Sequence, residues 1–331
     1  MSVSRTDKIK LGVVGCGDHA SENLIPCLWL NRHVEVVAVC DLSFQLAKQV
    51  AAQFPNAHAY EGATELVQTA KVDAIVAAAP PQVHTQVAMT ALARGIHIFV
   101  EKPPTVNTAD LTGLVAESRR TGLVTMVGHN LRHSAASLAL KAMSCEEGFG
   151  TPFSMEVRYF ASKPRGDRWQ LGSAIRSFLL SHVNHAVDLM SYHVGCPSTV
   201  DASAEIAADG GISLAARFGF GNGGVGTLFA STCMPHFSVH ATLLGASGGY
   251  AVMQSLNEVT AYGVGGDHKR HGRNWIEQEL ATGFRQAGYQ TELDQFIEAI
   301  ARKGEAHPSF EDELAVYRVI DEMERQITRS I

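Results

Sequence analysis

The 331-residue chain has no apolar run approaching the ~18–20 residues a helix needs to cross a bilayer, so no membrane span and no membrane partner are expected. Positive charge is scarce: Lys and Arg number 27 against 33 Asp and Glu, a net charge of −6. Such a chain has no overall positive field to gather polyanions, and nucleic acid is not an expected partner. The six cysteines, Cys16, Cys27, Cys40, Cys145, Cys196 and Cys233, contain no Cys-x-x-Cys pair and no short-domain disulfide framework. They are expected to be reduced, mostly buried thiols. The opening residues Met1 to Lys10 lack the apolar stretch and small-residue cleavage site of a secretory signal, so the expected location is cytoplasmic. Internal repeats, heptads and low-complexity tails are absent as well. Only 18% of residues are charged and 46% are hydrophobic, the reverse of a disordered composition, and the length suits two domains with a core each.

Between Lys8 and Gly128, short apolar runs alternate with helical patterns: Ile9-Val14, Val34-Cys40, Asp73-Ala78, Ile96-Val100 and Leu123-Val127. Uninterrupted, β-branched runs of this length suit strands buried on both faces, and the spacers are long enough for crossover helices. The expectation is an α/β chain whose residues 1–130 form a doubly wound parallel sheet of Rossmann type. After residue 150, runs at Phe153-Phe160, Thr199-Ala207, Ser213-Phe218, Gly224-Ala230, His240-Leu244 and Tyr250-Met253 follow one another through Gly- and Ser-rich turns. Strand after strand predicts an α+β domain over 131–331 with an open, mostly antiparallel or mixed sheet. Helices are expected near Ser177-Gly195, Gln290-Lys303 and Glu311-Arg329, and a flexible loop at Gly263-Asn274.

The first run ends in Gly15-Cys16-Gly17-Asp18-His19-Ala20, a Gly-x-Gly-x-x-Ala between a strand and a helix. Gly15 permits the tight turn, Gly17 lets backbone approach a pyrophosphate without a Cβ clash, and Ala20 lets helix pack on strand. The helix that follows offers N–H donors and positive dipole, with Asp18 and His19 at its start. Asp41, about two dozen residues on, ends the second run where a carboxylate can accept the adenosine ribose hydroxyls. Its charge would repel a 2'-phosphate, and Leu42-Ser43-Phe44 supply no Arg to hold one, so NAD is expected over NADP. Asp41 as a helix cap is the plainer alternative. Lys102, beside a cationic nicotinamide, could donate a hydrogen bond or proton to a substrate oxygen.

Taken in order, Gly15-Ala20, Ala79-Pro80 with His84, Glu101-Lys102-Pro103, Gly128-His129-Asn130, His185-x-x-Asp188 and Tyr289-x-x-Glu292 resemble the glucose-fructose oxidoreductase / inositol dehydrogenase (Gfo/Idh/MocA) family over nearly the whole chain. The resemblance implies hydride exchange between nicotinamide and a sugar, polyol or nucleotide-sugar derivative. It also implies unusual peptide geometry at Lys102-Pro103 and a sheet whose open face makes a homodimer or homotetramer contact. Gly15, Gly17, Asp18, His19, Asp41, Leu42, Ala79, Pro80, His84, Glu101, Lys102 and Asn130 are the expected cofactor residues. Lys102 and His185 are the expected catalytic pair, His185 as general acid/base. Ser181, His185 and Asp188 fall at i, i+4 and i+7, one helical face, with Ser181, His182 and Asn184 expected at the substrate.

Two departures from the family pattern bear on chemistry. Ser181 stands where the family often has Asp, removing a carboxylate beside His185, and Ala79-Pro80-Pro81 replaces Thr-Pro-Asn. The resemblance also permits NAD-dependent glycoside hydrolysis, and Ser181 and Pro81 leave a non-catalytic dinucleotide sensor as a further alternative. His182, His185 and Asp188 drift around the helix with no fourth ligand in view, so no metal is expected. An excess of basic residues, Arg158, Lys163, Arg165, Arg168 and Arg176, precedes the His185 helix; by the resemblance this connection lies over the substrate. Arg165 and Arg168 either pair with the carboxylate or phosphate of an anionic sugar or belong to a solvated strand edge protected by charge.

Overall fold

The computed structural model of the chain describes residues 8–263, 273–276 and 283–330. Two compact units emerge, one from Met1–Gly128 with Tyr289–Leu314, the other from His129–Gly288 with Ala315–Ile331.

The first unit is built on six parallel strands: β1 (Ile9–Val14), β2 (Val34–Cys40), β3 (His58–Tyr60), β4 (Ala74–Ala77), β5 (His97–Glu101) and β6 (Thr125–Gly128), in the spatial order β3-β2-β1-β4-β5-β6. The last four residues of β1 and all of β4 and β6 are buried, as both-face coverage by crossover helices requires. Local chemistry sets the helix ends. Ser43 Oγ accepts Leu46 N–H (3.3 Å) at the start of the Phe44–Ala51 helix, and Asn107 Oδ1 accepts Asp110 N–H (2.8 Å) at the start of Thr108–Thr121. Gly122 ends that second helix at φ 65°, the left-handed cap. The segment 289–314 is part of this unit: Phe296 of the helix Tyr289–Arg302 tilts onto Phe99 of β5 (5.9 Å between centroids), and Val127 N–H of β6 donates to Pro308 O at 2.8 Å.

The second unit carries an eight-stranded sheet of β7 (Pro152–Phe160), β8 (Thr199–Ile206), β9 (Ile212–Gly219), β10 (Val225–Ser231), β11 (Ser238–Gly245), β12 (Tyr250–Gln254), β13 (Glu258–Tyr262) and β14 (Arg273–Ile276), ordered β14-β13-β12-β11-β7-β10-β9-β8. Every pairing is antiparallel except β7 with β10. Burial alternates along β9 and β10, so one face meets helices and the other is open. Val225, Phe229, Leu244, Tyr250 and Tyr262 are exposed. The helices Ala135–Ser144 and Asn184–His193 pack on the sheet, against β12–β13 and β7 respectively.

Three expectations are corrected. Cys145, Cys196 and Cys233 are exposed, and only Cys16, Cys27 and Cys40 are buried, because the first three sit at helix ends and turns outside both cores. The stretch Gly263-Asn274 is not one loop: residues 264–272 lie outside the described residues, and 273–274 open β14. The helix expected over Ser177-Gly195 begins earlier and changes pitch, running α over Ala174–Phe178, π over Leu179–Val183 and α again over Asn184–His193. No helix among the described residues is long and apolar enough to cross a membrane.

Candidate active site

In the first unit the sheet order reverses at β1, with β2 on one side and β4 on the other, the place where doubly wound sheets open a crevice at their carboxyl ends. Gly15 occupies this point at φ 91°, and a Cβ there would lie 2.2 Å from Ala78 O, so no other residue fits. Gly17 is different. A Cβ on it would meet nothing within 4 Å, which leaves its backbone facing open space of the kind a phosphate can enter. Asp41 is locked beside the turn: Oδ2 accepts Cys16 N–H and Oδ1 accepts Ser43 N–H, both at 2.8 Å. It is therefore not the cap of the next helix, a role Ser43 fills, and each oxygen keeps a second lone pair for a hydroxyl donor. Leu42 is 97% exposed at the same edge, an apolar surface beside the carboxylate.

After β4 and β5 the chain is tied together by one imidazole. His84 is buried; Nε2 accepts Ala79 N–H at 2.8 Å, and Nδ1–H donates to Pro103 O at 3.0 Å. Burial pushes its pKa down to about 4, so the ring is neutral and both nitrogens serve the backbone. His84 thus positions Ala79 and the cis Lys102-Pro103 peptide, and its ring is fully used in doing so. His19 Nε2 stands 3.1 Å from Glu101 Oε1. The neighbouring carboxylate raises the His19 pKa against the opposing effect of burial. Burial alone would push the Glu101 carboxyl up; the His19 imidazole, with Lys102 behind it, outweighs this and holds it below the usual range. Tyr289 packs its ring edge-on to His19 at 5.4 Å. Cys16 and Cys40, by contrast, are pushed up to about 12 by burial, which makes them inert thiols.

The second unit gathers His129, Arg132, Tyr159, His185 and Asp188 in one buried cluster. Arg132 grips Asp188 with two parallel bonds, Nε to Oδ2 at 2.9 Å and Nη2 to Oδ1. His129 Nδ1 lies 3.8 Å from Asp188 Oδ2 and 3.4 Å from His185 Nδ1, its ring perpendicular to that of His185 (89°, 5.2 Å). Tyr159 stacks parallel to His185 (11°, 6.3 Å), and burial raises its pKa, keeping it a neutral phenol. Ser181 falls in the π turn and sits 2.7 Å from His182 Nδ1, while His182 packs edge-on to Tyr159. Asn184 is fully buried. Asn130 donates its side-chain N–H to Ala287 O at 2.8 Å.

Of the basic residues ahead of this helix, three are bound by carboxylates. Arg158 faces Glu156 at 3.5 Å, Arg165 pairs with Asp209, and the buried Arg176 bridges Asp321 (2.7 Å) and Glu324 (3.0 Å). Arg168 instead lies 4.7 Å over the ring of Trp169, and partial burial lowers its pKa. Trp169 and Gln170 both adopt positive φ, 56° and 57°. Asp167 holds that conformation by accepting Leu171 N–H (3.0 Å), Gly172 N–H (2.9 Å) and Ser177 Oγ–H (3.0 Å). Sequence reasoning named His129 only within a motif, placed Asp188 on the helical face of His185, and missed Arg132, Tyr159 and Trp169. The single available signal was a run of His129, Arg132 and His133 immediately after an apolar strand.

Residues 9–129 match the family described as "Oxidoreductase family, NAD-binding Rossmann fold". The matched residues 9–129 carry the NAD-binding Rossmann domain of the Gfo/Idh/MocA oxidoreductase family. Among curated proteins it is 28% identical over 173 residues to 4-carboxy-2-hydroxymuconate-6-semialdehyde dehydrogenase of Sphingobium sp. (strain NBRC 103272 / SYK-6), covering 49% of this chain and 52% of that one. It is 31% identical over 161 residues to dTDP-3,4-didehydro-2,6-dideoxy-alpha-D-glucose 3-reductase of Streptomyces antibioticus, covering 48% and 49%. The chain thus spans about half the length of these relatives. Among solved structures it resembles a dehydrogenase from Chromobacterium violaceum with a TM-score of 0.92 at 29% identity, over 98% of this chain and 97% of that one. It shares its fold with levoglucosan dehydrogenase in complex with NADH and levoglucosan, TM-score 0.85 at 19% identity over 98% of both chains.

Proposed function

We propose that the chain is an NAD-dependent oxidoreductase that exchanges a hydride between nicotinamide and the CH–OH carbon of a sugar, polyol or nucleotide-sugar derivative. The observation that carries this reading is Asp41, whose two oxygens are fixed by backbone N–H groups of the glycine turn and of the turn after β2. A carboxylate so held, beside a Gly17 that faces open space, fits an adenosine ribose and pyrophosphate and disfavours a 2'-phosphate. The cofactor, when bound, supplies the two-electron chemistry. Gly15, Gly17, Asp18, His19, Asp41, Leu42, Ala79, Pro80 and Glu101 would seat it, with Asn130 a further contact. Lys102 polarises the reacting oxygen, and His185 takes or gives its proton.

Arg168 over Trp169 supports a sugar bearing a carboxylate or phosphate: the indole offers a face for ring C–H groups and the guanidinium a fork for the anion. Arg165 contributes from its pair with Asp209, and Ser181, His182 and Asn184 complete the hydrogen-bond set around the substrate. The open face of β7–β13, with Val225, Phe229, Leu244, Tyr250 and Tyr262 exposed, supports a homo-oligomer. The test is NADH binding by fluorescence followed by turnover on a panel of neutral and anionic sugars, polyols and their ketones. Lys102→Met and His185→Ala are expected to bind NADH normally and to lose ~10²–10⁴ in kcat. Wild-type kcat in both variants overturns the catalytic assignment. Cleavage of a glycosidic bond with no net NADH would replace dehydrogenation by hydrolysis.

A further inference from the structure

We infer that His129, backed by Asp188 and Arg132, is the positioning residue that fixes the tautomer of His185, and that it holds the proton on His185 Nε2, priming the chain as a carbonyl reductase. This deepens the proposed function and rests on His185 being its acid/base. The argument starts at Asp188. Arg132 engages both carboxylate oxygens, so the carboxylate is ionised and cannot swing away. Oδ2 of this anion lies 3.8 Å from His129 Nδ1, and a negative charge at that distance favours a proton on Nδ1 over a lone pair. The same Nδ1 is 3.4 Å from His185 Nδ1. Two facing ring nitrogens share one proton, and with the proton on His129 the Nδ1 of His185 is the acceptor. A neutral His185 then carries its hydrogen on Nε2.

The ring cannot turn to exchange its nitrogens at no cost. Tyr159 lies parallel to it on one side, His129 stands perpendicular to it, and the residue is 5% exposed. His185 therefore presents an N–H donor. In reduction His185 would give its Nε2 proton to the carbonyl oxygen, and a bound reduced nicotinamide would supply the hydride. The Nδ1 proton of His129 passes to His185 Nδ1. In this inference His129 enters the step as the imidazolium, protonated on both nitrogens beside the Asp188 carboxylate, so the two rings begin with three N–H protons, end with two, and finish neutral. Asp188 stabilises the charged starting pair without itself taking a proton.

The test needs no known substrate. In the full chain labelled with 15N at histidine and saturated with NADH, a long-range 1H–15N spectrum is expected to place His185 in the Nε2–H form. His129→Phe, which keeps a ring but no nitrogen, is expected to shift that tautomer toward a mixture, and His129→Asn, which retains a donor near the Nδ1 position, to hold it. On any ketone that the panel above identifies, His129→Phe is expected to lower kcat ~10–10²-fold with KM and NADH affinity within about twofold. An Nδ1–H form of His185 in the unaltered chain, or a tautomer indifferent to His129→Phe, overturns the inference. Those results leave the dehydrogenase reading intact, whereas wild-type kcat in both Lys102→Met and His185→Ala overturns the catalytic assignment and not the tautomer of His185.

Discussion

The imidazole of His19 stands 3.1 Å from the carboxylate of Glu101, and each shifts the other toward its charged form. Replacing the acid isolates the contribution. Glu101→Gln is expected to lower the titration midpoint of His19, because the largest influence raising it is removed while burial continues to lower it. A pH titration of the His19 ring by NMR checks this; an unmoved midpoint would place the cause elsewhere.

Gly15 and Gly17 are separated by a single residue and predict opposite phenotypes. Gly15→Ala forces a Cβ against Ala78 O at a φ that L-residues avoid, with an expected cost above about 2 kcal/mol and a lower Tm. Gly17→Ala meets open space, so Tm stays near that of the unaltered chain while NADH affinity falls about tenfold or more. Melting curves and NADH titrations on both variants decide; equal effects on stability would refute the distinction.

Asp41→Ala removes the acceptor for the ribose hydroxyls. Loss of charge-assisted hydrogen bonds, each about 1.5–3 kcal/mol, predicts a 10- to 100-fold weaker NADH complex and a smaller preference over NADPH. Dissociation constants for both cofactors, measured side by side, are the check. An unchanged NADH:NADPH ratio would remove Asp41 as selector.

His84 and His193 are both buried and neutral, burial having pushed their pKa values from 6.5 down to about 4 and about 3. Protons therefore bind the unfolded chain first. Stability is lost as pH falls from about 6.5 toward 4 for His84 and toward 3 for His193, by about 2 kcal/mol per histidine between pH 7 and 5. Urea midpoints at pH 7 and 5 measure the loss. In the His84→Gln, His193→Gln double variant the pH dependence is expected to shrink even where neutral-pH stability is lower.

Much of the first unit was legible because burial on both faces writes itself as apolar runs. β1 and β2 fall on Ile9–Val14 and Val34–Cys40, the bounds those runs predict. β3, only His58–Tyr60 and partly exposed, has no such run and left no trace. The site was legible wherever a backbone requirement selects a residue type, as at Gly15. It was illegible where partners are far apart in sequence: the Arg132–Asp188 pair spans 56 positions, and no periodicity encodes it. Ser181 illustrates a third case. Ideal helical spacing puts it on one face with His185, but the π turn over Leu179–Val183 alters the pitch between them, and Ser181 sits against His182 instead.

The bond from Val127 N–H to Pro308 O, and the ring of Phe296 against Phe99, carry a consequence for biosynthesis. A ribosome releases β6 long before it releases the segment that covers it, so the first unit waits, with an uncapped strand edge, until residues 289–314 have emerged. A gene fragment ending at residue 128 would encode every glycine of the fingerprint and still yield an aggregation-prone product.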